Sequence, residues 1–486
     1  MSDEILDMRI KKLEDLKNQG VCLYGGRFEK THTAKWVKEN FAENAPVSIA
    51  GRIMALREHG KSIFGDIKDI TGRAQFYIKK DAVGDEIFSI LKKLDIGDII
   101  GIQGELFMTR TQEPTIKAKK VELLAKGIRP LPSEWYGLKD VEIRYRKRYL
   151  DLIANENVKD VFIKRSKIIK EIRRYLDDQD YLEVETPMMH SLAGGAAGKP
   201  FKTHLDALNM DLSLRIAPEL YLKKLLVGDL ERVYEINRSF RNEGLSTKHN
   251  PEFTMLEVYT AYADYKNMMD LVKGIIMRIA EQVFNTKELV FGEQKIDLTN
   301  WQEVSFAKLM QENFEINPDD SEIEWLAKLK KKNIKVELKE GKISRTFILN
   351  LISDLIEEKL QTNHPVFITD IYTELCPLAK KKKNEPLLSE RFELFMGGME
   401  IANAYSELND PNEQRERFLL QAKDECNAKI DEGFVEALEY GMPPAGGLGI
   451  GIDRLVMLFT NQTSIKDVIL FPQLKPEVQD IETGSV

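Results

Sequence analysis

The feature that most constrains how this chain can fold is a stiff break at Arg129-Pro130-Leu131-Pro132. Each proline fixes its own φ and disfavours helix in the residue before it, so no continuous helix is expected through the segment. Short apolar runs separated by turn signals precede the break, and longer helical and strand patterns follow it. We therefore predict an N-terminal domain over residues 1–130, a linker over 131–156 and a larger domain over 157–486.

The N-terminal region has the pattern of a small β-barrel. A helical spacing over residues 4–19 ends at Gly20, and about five short strand-like runs occupy residues 47–118. This pattern predicts a five-stranded barrel of the OB type with a leading helix. Such barrels bind single-stranded nucleic acid by stacking bases on aromatic side chains, for which Phe64 and Tyr77 are available. A place in the barrel core is the alternative for Tyr77.

The larger domain mixes helices and strands without regular βαβ alternation. Helical patterns lie near residues 157–179, 264–284 and 451–460, and strand patterns lie near 231–240, 391–396 and 399–408. The fold class predicted is therefore α+β, with an antiparallel sheet flanked by helices rather than a doubly wound parallel sheet.

Composition and charge exclude several classes of protein. No apolar run reaches the roughly 18–20 residues of a membrane helix, and the acidic start Met1-Ser2-Asp3-Glu4 lacks the pattern of a secretory signal. Three widely spaced cysteines indicate a reducing, cytoplasmic location and no structural zinc site. Residues 1–150 carry 28 Lys and Arg against 22 Asp and Glu, whereas the remainder carries 43 against 57. A basic front on an acidic body suits a protein that holds a polyanion at one end.

A strand, a polar loop and a second strand over residues 236–257 carry the first chemical signal. Arg241 enters the loop as a permanent cation whose planar fork suits phosphate oxygens. Glu243 and His249 lie on opposite sides of the loop, where they can contact the base and outer phosphates of a nucleotide. Phe253 offers a flat face for a purine. The hairpin thus predicts a nucleotide site.

The second signal is the glycine-rich segment 441–457, with Gly447, Gly449 and Gly451 at alternate positions. It lacks the G-x-G-x-x-G spacing and the downstream acid of a dinucleotide-binding fingerprint. We expect a glycine-rich turn that lets the backbone pass under a ligand, followed by a helix that Arg454 opens.

These two segments, preceded by the helix and short strand over residues 159–187, resemble in order and spacing the three signature motifs of class II aminoacyl-tRNA synthetases. The resemblance extends over nearly the whole chain, including the N-terminal OB-type domain of the subgroup specific for aspartate, asparagine and lysine. It implies an enzyme that activates an amino acid with ATP and transfers it to tRNA, with no covalent enzyme nucleophile.

Acidic residues beside the nucleotide elements favour lysine as the amino acid. A buried ammonium group requires carboxylate partners, and an enzyme for aspartate or asparagine would need a basic group instead. On one strand, Asn403, Tyr405 and Glu407 point to one face at a period of two residues and form a suitable wall for an aminoalkyl chain.

The resemblance also implies roles for individual residues. For lysine it implies Gly195, Glu219, Glu257, Tyr259, Asn403, Tyr405 and Glu407, with Glu219 on the α-amino group and Glu407 on the side-chain ammonium. For ATP it implies Arg241, Glu243, His249, Asn250, Phe253, Glu400, Gly451 and Arg454, with Arg241 and Arg454 as the catalytic pair. For Mg²⁺, with up to three ions per active site, it implies Glu393 and Glu400. For the anticodon it implies Phe64, Gln75 and Glu113, although Leu56 and Pro114 depart from the family pattern nearby.

The partners expected are ATP, L-lysine, tRNA(Lys) and a second copy of the chain in a homodimer, with no membrane. Three alternatives remain open at this point. One is an aspartyl or asparaginyl enzyme, and another is a relative that transfers lysine-like groups to a protein. The third is a non-catalytic tRNA-binding or regulatory protein that keeps the fold.

Overall fold

The computed structural model describes residues 2–132, 138–192, 194–196, 198–317, 319–334, 336, 345–360, 362–424 and 430–476. The chain divides into two compact units, Met1–Leu138 and Lys139–Val486. The segment 131–156, expected as a linker, differs from that expectation because it contains two helices of the second unit. The reason is Arg148, which is fully buried and donates hydrogen bonds to the carbonyl groups of Lys466 and Leu470 at 2.7 and 3.0 Å. In the described part of the chain no helix is long and apolar enough to cross a membrane.

The first unit is a closed barrel with the strand order β1-β2-β3-β5-β4, which confirms the predicted OB-type fold. Its elements are α1 Ser2–Asn18, α2 Ala34–Glu39, β1 Pro46–His59, β2 Ser62–Asp69, β3 Gly72–Lys79, α3 Lys80–Val83, α4 Asp85–Leu91, β4 Ile99–Met108 and β5 Pro114–Ala125. Strands β3 and β5 are parallel, and the other neighbours in the barrel are antiparallel.

Alternation along the strands decides which aromatic residues fill the barrel. Phe76 and Ile78 on β3 are buried in the core, whereas Tyr77 between them is only half-buried. Phe64 on β2 is the direct cross-strand partner of Tyr77, and the two ring centroids lie 4.6 Å apart. Tyr77 therefore belongs to the outer surface, and its neighbour Phe76 takes the core position.

The second unit is built on one large sheet. Its helices are α5 Val141–Arg146, α6 Arg148–Ala154, α7 Glu156–Asp177, α8 Glu219–Val227, α9 Tyr265–Ile279, α10 Phe306–Phe314, α11 Glu322–Lys331, α12 Arg345–Lys359, α13 Pro411–Asp424, α14 Glu432–Glu439, α15 Ile452–Thr460 and α16 Ile465–Val468. Its strands are β6 Leu182–Glu183, β7 Met189–His190, β8 Lys202–Leu205, β9 Met210–Leu214, β10 Arg232–Phe240, β11 Glu252–Ala261, β12 Glu288–Phe291, β13 Gln294–Asp297, β14 Gln302–Ser305, β15 Val366–Thr369, β16 Arg391–Met396, β17 Met399–Ser406 and β18 Ala445–Gly451.

The sheet has the order β14-β15-β16-β17-β18-β11-β10-β6. The six central strands, from β15 to β10, are antiparallel to one another, as predicted. The outermost pairs, β14 with β15 and β10 with β6, are parallel, which makes the sheet mixed. Strict alternation divides its two faces. Leu256, Val258, Leu448 and Ile450 point into the core shared with α7, α9 and α15. The residues between them line the opposite face, where the site is built.

The glycine-rich segment expected as a turn is strand β18, in the middle of the sheet. Its glycines are required because larger neighbours lean over it. A Cβ atom added at Gly447 would lie 1.9 Å from Oε1 of Glu407 and 2.6 Å from the ring of Tyr259. The glycines indicated a turn because strands normally avoid them. In the structure they make room for Tyr259 of β11 and for Glu407, which follows β17.

We expect Gly447→Ala to lower the free energy of unfolding by about 2–3 kcal/mol, because the added methyl group has no free volume to occupy. Gly449→Ala is the matched control on the same strand, since its Cβ would lie at an ordinary 3.4 Å from Cε of Met255. Thermal unfolding of the two variants measures the difference. Equal melting temperatures would contradict this account of the strand.

Candidate active site

A row of polar side chains crosses the open face of the large sheet. The strand register aligns Glu235 on β10 with Glu257 on β11, Gly449 on β18, Asn403 on β17 and Glu393 on β16. Gly449 stands at the centre of this row without a side chain, so a trough opens between Glu257 and Asn403. The row is a product of the sheet order, because its members come from five strands in three separate stretches of the sequence.

A second row lies two residues along the same strands. Tyr259 and Tyr405 are both register partners of Gly447, so the two phenol groups flank the trough. The hydroxyl of Tyr259 donates to Oε2 of Glu257 at 3.1 Å. Glu407, just after β17, is fully buried beside Gly447. The trough is thus walled by carboxylates and phenols and floored by glycine.

Helix α8 closes one side of the trough with Glu219 and Lys223, one turn apart. Oε1 of Glu219 accepts hydrogen bonds from the hydroxyl of Tyr405 at 2.5 Å and from Nζ of Lys223 at 2.6 Å. Lys223 also forms an ion pair with Glu407, and all of its side chain is buried. The site therefore joins three of the predicted lysine-binding residues through one internal ammonium group.

The carboxylates of the trough outnumber the cations. Burial raises the pKa of Glu257 to about 8, and the neighbouring charge of Glu219 adds to the shift. Burial also raises the pKa of Glu407 to about 8; Lys223 opposes this shift, and Glu219 and Glu257 add to it. Buried carboxylates that raise one another's pKa values in this way form a site that stabilises an incoming cation.

Beyond the trough, two arginines lie on separate elements. Arg241, at the end of β10, places its guanidinium carbon 5.2 Å from the ring centroid of Phe253, and its Nε is buried with no hydrogen-bond partner among the described residues. Arg454, in the first turn of α15, donates to the carbonyl oxygen of Glu400 at 2.9 Å and to its carboxylate at 3.2 Å. Arg454 also lies 3.0 Å from Nε2 of His249. Burial and then Arg454 lower the pKa of His249, so the neutral ring accepts this hydrogen bond.

A glycine loop lies against both halves of the site. Gly195 has a φ of +88°, a conformation that disfavours other residues, and a Cβ there would lie 3.1 Å from Cβ of Glu219. A Cβ at Gly198 would lie 3.1 Å from Cδ of Arg241 and 3.4 Å from Oε1 of Glu243. The loop thus contacts the predicted lysine residue Glu219 and the predicted ATP residues Arg241 and Glu243.

One predicted ATP residue lies apart from the rest. Asn250 is buried, donates to the carbonyl oxygen of Glu252 at 2.6 Å, and lines a cavity of ≈ 330 Å³ together with Arg165 and Arg238. None of the other predicted ATP residues lines this cavity. A structural role in the hairpin explains these contacts, and a direct role toward ATP stays a prediction.

Glu393 and Glu400, predicted to hold Mg²⁺, lie on the neighbouring strands β16 and β17. Burial raises the pKa of Glu393 to about 7; Arg391 opposes the shift, and Glu400 and Glu357 add to it. Crowded carboxylates short of a cation fit a hard divalent ion. However, the described residues contain no group of three or more His, Cys, Asp or Glu side chains that could hold a metal ion by themselves. Oxygen atoms of a bound phosphate chain would have to complete the ligand set.

The barrel brings the three predicted anticodon residues to adjacent strands. Phe64 stacks near Tyr77, which in turn lies 5.8 Å from the ring of Phe107. Gln75, two residues before Tyr77, accepts a hydrogen bond from the hydroxyl of Thr115 at 2.9 Å. Glu113 precedes β5, the strand that pairs with β3 at Gln75. The result is a half-exposed aromatic surface edged by an amide and a carboxylate.

Sequence reasoning missed two residues of the site. One is Lys223, which lies four residues after Glu219, the spacing of one helical turn; no helix was predicted over this segment, so the spacing was not recognised as a signal. The other is Arg391, which donates to Oδ1 of Asn403 at 3.0 Å and to Glu393 at 2.7 Å. Arg391 and Glu393 are two residues apart on one strand and therefore share a face. Nothing in the sequence showed that Asn403 lies beside them.

Comparisons with known proteins agree with this geometry. Residues 140–475 match the family of class II tRNA synthetases specific for D, K and N, and residues 47–124 match the OB-fold nucleic acid binding domain. Three similar proteins bear the name lysine–tRNA ligase. That of Carboxydothermus hydrogenoformans is 51% identical over 482 residues, covering 98% of both chains. That of Pelotomaculum thermopropionicum is 51% identical over 484 residues, covering 98% of this chain and 95% of the relative. That of Bacillus subtilis is 48% identical over 488 residues, covering 97% of both.

Proposed function

The chain belongs to the lysine–tRNA ligases of the class II synthetase family, and on that premise we propose how its residues divide the work. The reaction is the activation of lysine with ATP and the transfer of the lysyl group to tRNA. The observation that carries the assignment of residues is the trough of three buried carboxylates, Glu219, Glu257 and Glu407, with one internal cation. Aspartate or asparagine would bring no side-chain cation to that trough, so neither alternative amino acid is favoured.

Lysine binds in the trough between Glu257 and Asn403. Glu219 holds the α-ammonium group and Glu407, with Glu257, receives the side-chain ammonium group. Gly195, Tyr259 and Tyr405 supply the remaining contacts. Their support is geometric, because the register places the two tyrosines on both sides of Gly447. The binding orients the lysine carboxylate toward Arg241 for attack on ATP.

ATP is held by Arg241 and Arg454, with Glu243, His249, Asn250, Phe253, Glu400 and Gly451 as its further binding residues. The lysine carboxylate attacks the α-phosphate in line, which forms lysyl-adenylate and releases pyrophosphate. The terminal ribose hydroxyl of tRNA then attacks the lysyl carbonyl and releases AMP. Arg241 stabilises the charge that builds on the α-phosphate, since its Nε is buried and has no hydrogen-bond partner among the described residues. Phe253 stacks on the adenine.

Glu393 and Glu400 would hold Mg²⁺ against the ATP phosphates. When bound, the ion neutralises phosphate charge and aligns the leaving pyrophosphate. The chain's own contribution is positional: Arg391 orients the Glu393 carboxylate, and Arg454 orients that of Glu400. The number of ions, up to three, is part of the proposal.

The test of the amino acid is lysine-dependent exchange of pyrophosphate into ATP. We expect exchange with lysine and none above background with aspartate or asparagine, because Lys223, the cation of the trough, is already paired with Glu219 and Glu407 and cannot receive a carboxylate side chain. Exchange that depends on aspartate would overturn the assignment of the pocket. Charging of a lysine tRNA transcript then tests the second step.

The barrel residues Phe64, Gln75 and Glu113 are proposed to read the anticodon. We expect Phe64→Ala to raise the KM for tRNA about 10- to 100-fold, because one base loses its stacking partner. Pyrophosphate exchange, which needs no tRNA, should not change. Tyr24→Ala, an exposed aromatic residue elsewhere in the first unit, is the control and should leave both rates unchanged. An unaltered KM for tRNA in Phe64→Ala would contradict this use of the aromatic surface.

A homodimer is proposed from α7 and β6, the first of the three motifs. Several apolar side chains near them are exposed, among them Leu182, Met188 and Met189 at 51, 49 and 52%. Exposed apolar groups this close together are typical of a protein interface. We expect sedimentation to give about twice the mass of the 55.9 kDa chain, and a stable, active monomer would refute the proposal.

A cytoplasmic location is also proposed, in keeping with the free thiols of Cys22 and Cys376; Cys426 lies outside the described residues.

A further inference from the structure

Lys223 occupies the centre of the lysine trough, yet the proposed reaction gives it no role. Its side chain is fully buried, its Nζ lies 2.6 Å from Oε1 of Glu219, and it is ion-paired with Glu407. The rings of Tyr405 and Phe434 lie 5.4 and 5.9 Å from the same Nζ. A buried lysine carries a large desolvation cost, and the protein could have placed an apolar residue here at no such cost. Its presence calls for a function.

The charges of the trough can be counted. Glu219, Glu257 and Glu407 contribute three negative charges when ionised, and Lys223 contributes one positive charge. Glu235, the next carboxylate of the row, is already paired with Arg215 at 2.7 Å and does not enter the balance. Arg241 acts on Glu257 from the ATP half of the site, but Glu243 and Glu400 act on Arg241 more strongly than Glu257 does. The trough is therefore short of two positive charges. A lysine molecule carries two, on its α- and side-chain ammonium groups.

We propose that Lys223 is a specificity-determining residue, a built-in counter-cation that leaves the trough short of the two positive charges that substrate lysine supplies. The proposal rests on the proposed function. With Lys223, the pocket discriminates against a ligand with one ammonium group because one buried carboxylate would remain unpaired. Without Lys223, three carboxylates would face one another and one of them would take up a proton.

The groups packed around Lys223 determine its protonation state. Its own helix contributes Glu219. Strand β11 contributes Glu257 and Tyr259, and β17 with the residues after it contributes Tyr405 and Glu407. Helix α14 contributes the apolar ring of Phe434. Burial acts to lower the pKa of Lys223, but Glu219 and Glu407 outweigh it and the pKa is raised. The pKa values of both tyrosines are raised well above their ordinary value, chiefly by burial and by Glu219. Lys223 is thus charged and the phenols neutral throughout the range of the experiment.

The affinity for lysine should therefore depend on pH, and the carboxylates set the direction of that dependence. A protonated carboxyl group does not attract an ammonium group, so the KM for lysine falls as pH rises and levels off above the pKa of about 8 found for Glu257 and Glu407. Removal of Lys223 raises the pKa of Glu407 further, because an attractive charge is lost. The fall in KM therefore extends to higher pH in the variant.

The experiment compares wild type with Lys223→Met, which keeps an unbranched side chain, and with Lys223→Arg, which keeps the charge. The KM for lysine is measured by pyrophosphate exchange between pH 6.5 and 9.5. The ratio of variant to wild-type KM cancels the titration of free lysine. We expect this ratio to be about 10 or more for Lys223→Met near pH 7.5, as a pKa rise of about one unit requires, and to shrink toward pH 9.5. For Lys223→Arg the ratio should be independent of pH.

A binding measurement supports the kinetics without using catalysis. Calorimetric titration of lysine into the protein, in buffers that differ in ionisation enthalpy, counts released protons. At pH 8.5, which lies between the wild-type pKa of about 8 and a value about one unit higher, we expect Lys223→Met to release roughly half a proton more per lysine than wild type. A pH-independent KM ratio in Lys223→Met with equal proton release would overturn the proposal, because a purely structural defect has that signature. Wild type without lysine-dependent exchange would instead overturn the proposed function.

Discussion

Arg241→Ala is expected to lower the rate of lysine-dependent pyrophosphate exchange on the order of 10³-fold at saturating lysine and ATP. The substitution removes the guanidinium group that stabilises the charge developing on the phosphate. A single preorganised donor of this kind accounts for a rate effect of this size. The fold should survive the change. Arg241 Nε has no partner among the described residues, so its removal leaves no protein group unpaired there. Exchange kinetics together with thermal unfolding measure both effects.

Arg415→Ala is the matched control for Arg241→Ala. Arg415 lies in the same unit, is partly exposed, and pairs at the surface with Glu432 at 2.9 Å and with Glu439 at 3.5 Å. Exposed ion pairs contribute little, so exchange should stay within about twofold of wild type. Near-normal exchange by Arg241→Ala would remove Arg241 from the phosphate site and with it the proposed role of the hairpin.

Glu407→Gln is expected to raise the KM for lysine on the order of 100-fold, with a much smaller change in kcat. The amide keeps the shape of the carboxylate but loses its charge, so the substrate ammonium group loses a buried ionic partner. In comparable buried pairs, loss of one partner weakens binding by roughly 2–5 kcal/mol. Because the carboxylate is remote from the reacting phosphate, the loss falls on ground-state and transition-state binding equally. Exchange at varied lysine concentrations separates KM from kcat.

Glu432→Gln serves as the control for Glu407→Gln, because the Glu432 carboxylate is 62% exposed and its ion pair is with Arg415 at the surface. Its KM for lysine should equal that of wild type. If Glu407→Gln kept a KM within threefold of wild type, Glu407 would not be the partner of the side-chain ammonium group, and Glu257 would be the next candidate.

The sequence by itself determined the order of the motifs and the residue types that the chemistry needs. The short strand runs before residue 130 predicted the barrel, and period two on β17 correctly put Asn403, Tyr405 and Glu407 on one face. These inferences succeed because a strand alternates its side chains whatever lies beside it. The lysine preference could also be predicted, since an acidic pocket is a statement about composition.

The tertiary structure decided which of these residues meet. The register alone brings Glu257, Gly449 and Asn403 into one row, because strand order is set by packing over the whole sheet and not by local pattern. It turned the glycine-rich segment into a central strand, since the volume above Gly447 is taken by Glu407 and Tyr259. The tertiary structure also places Lys223 between the carboxylates of Glu219 and Glu407, which are 188 positions apart in the sequence. A charge balance of this kind depends on distance and burial, and neither can be obtained from the order of residues.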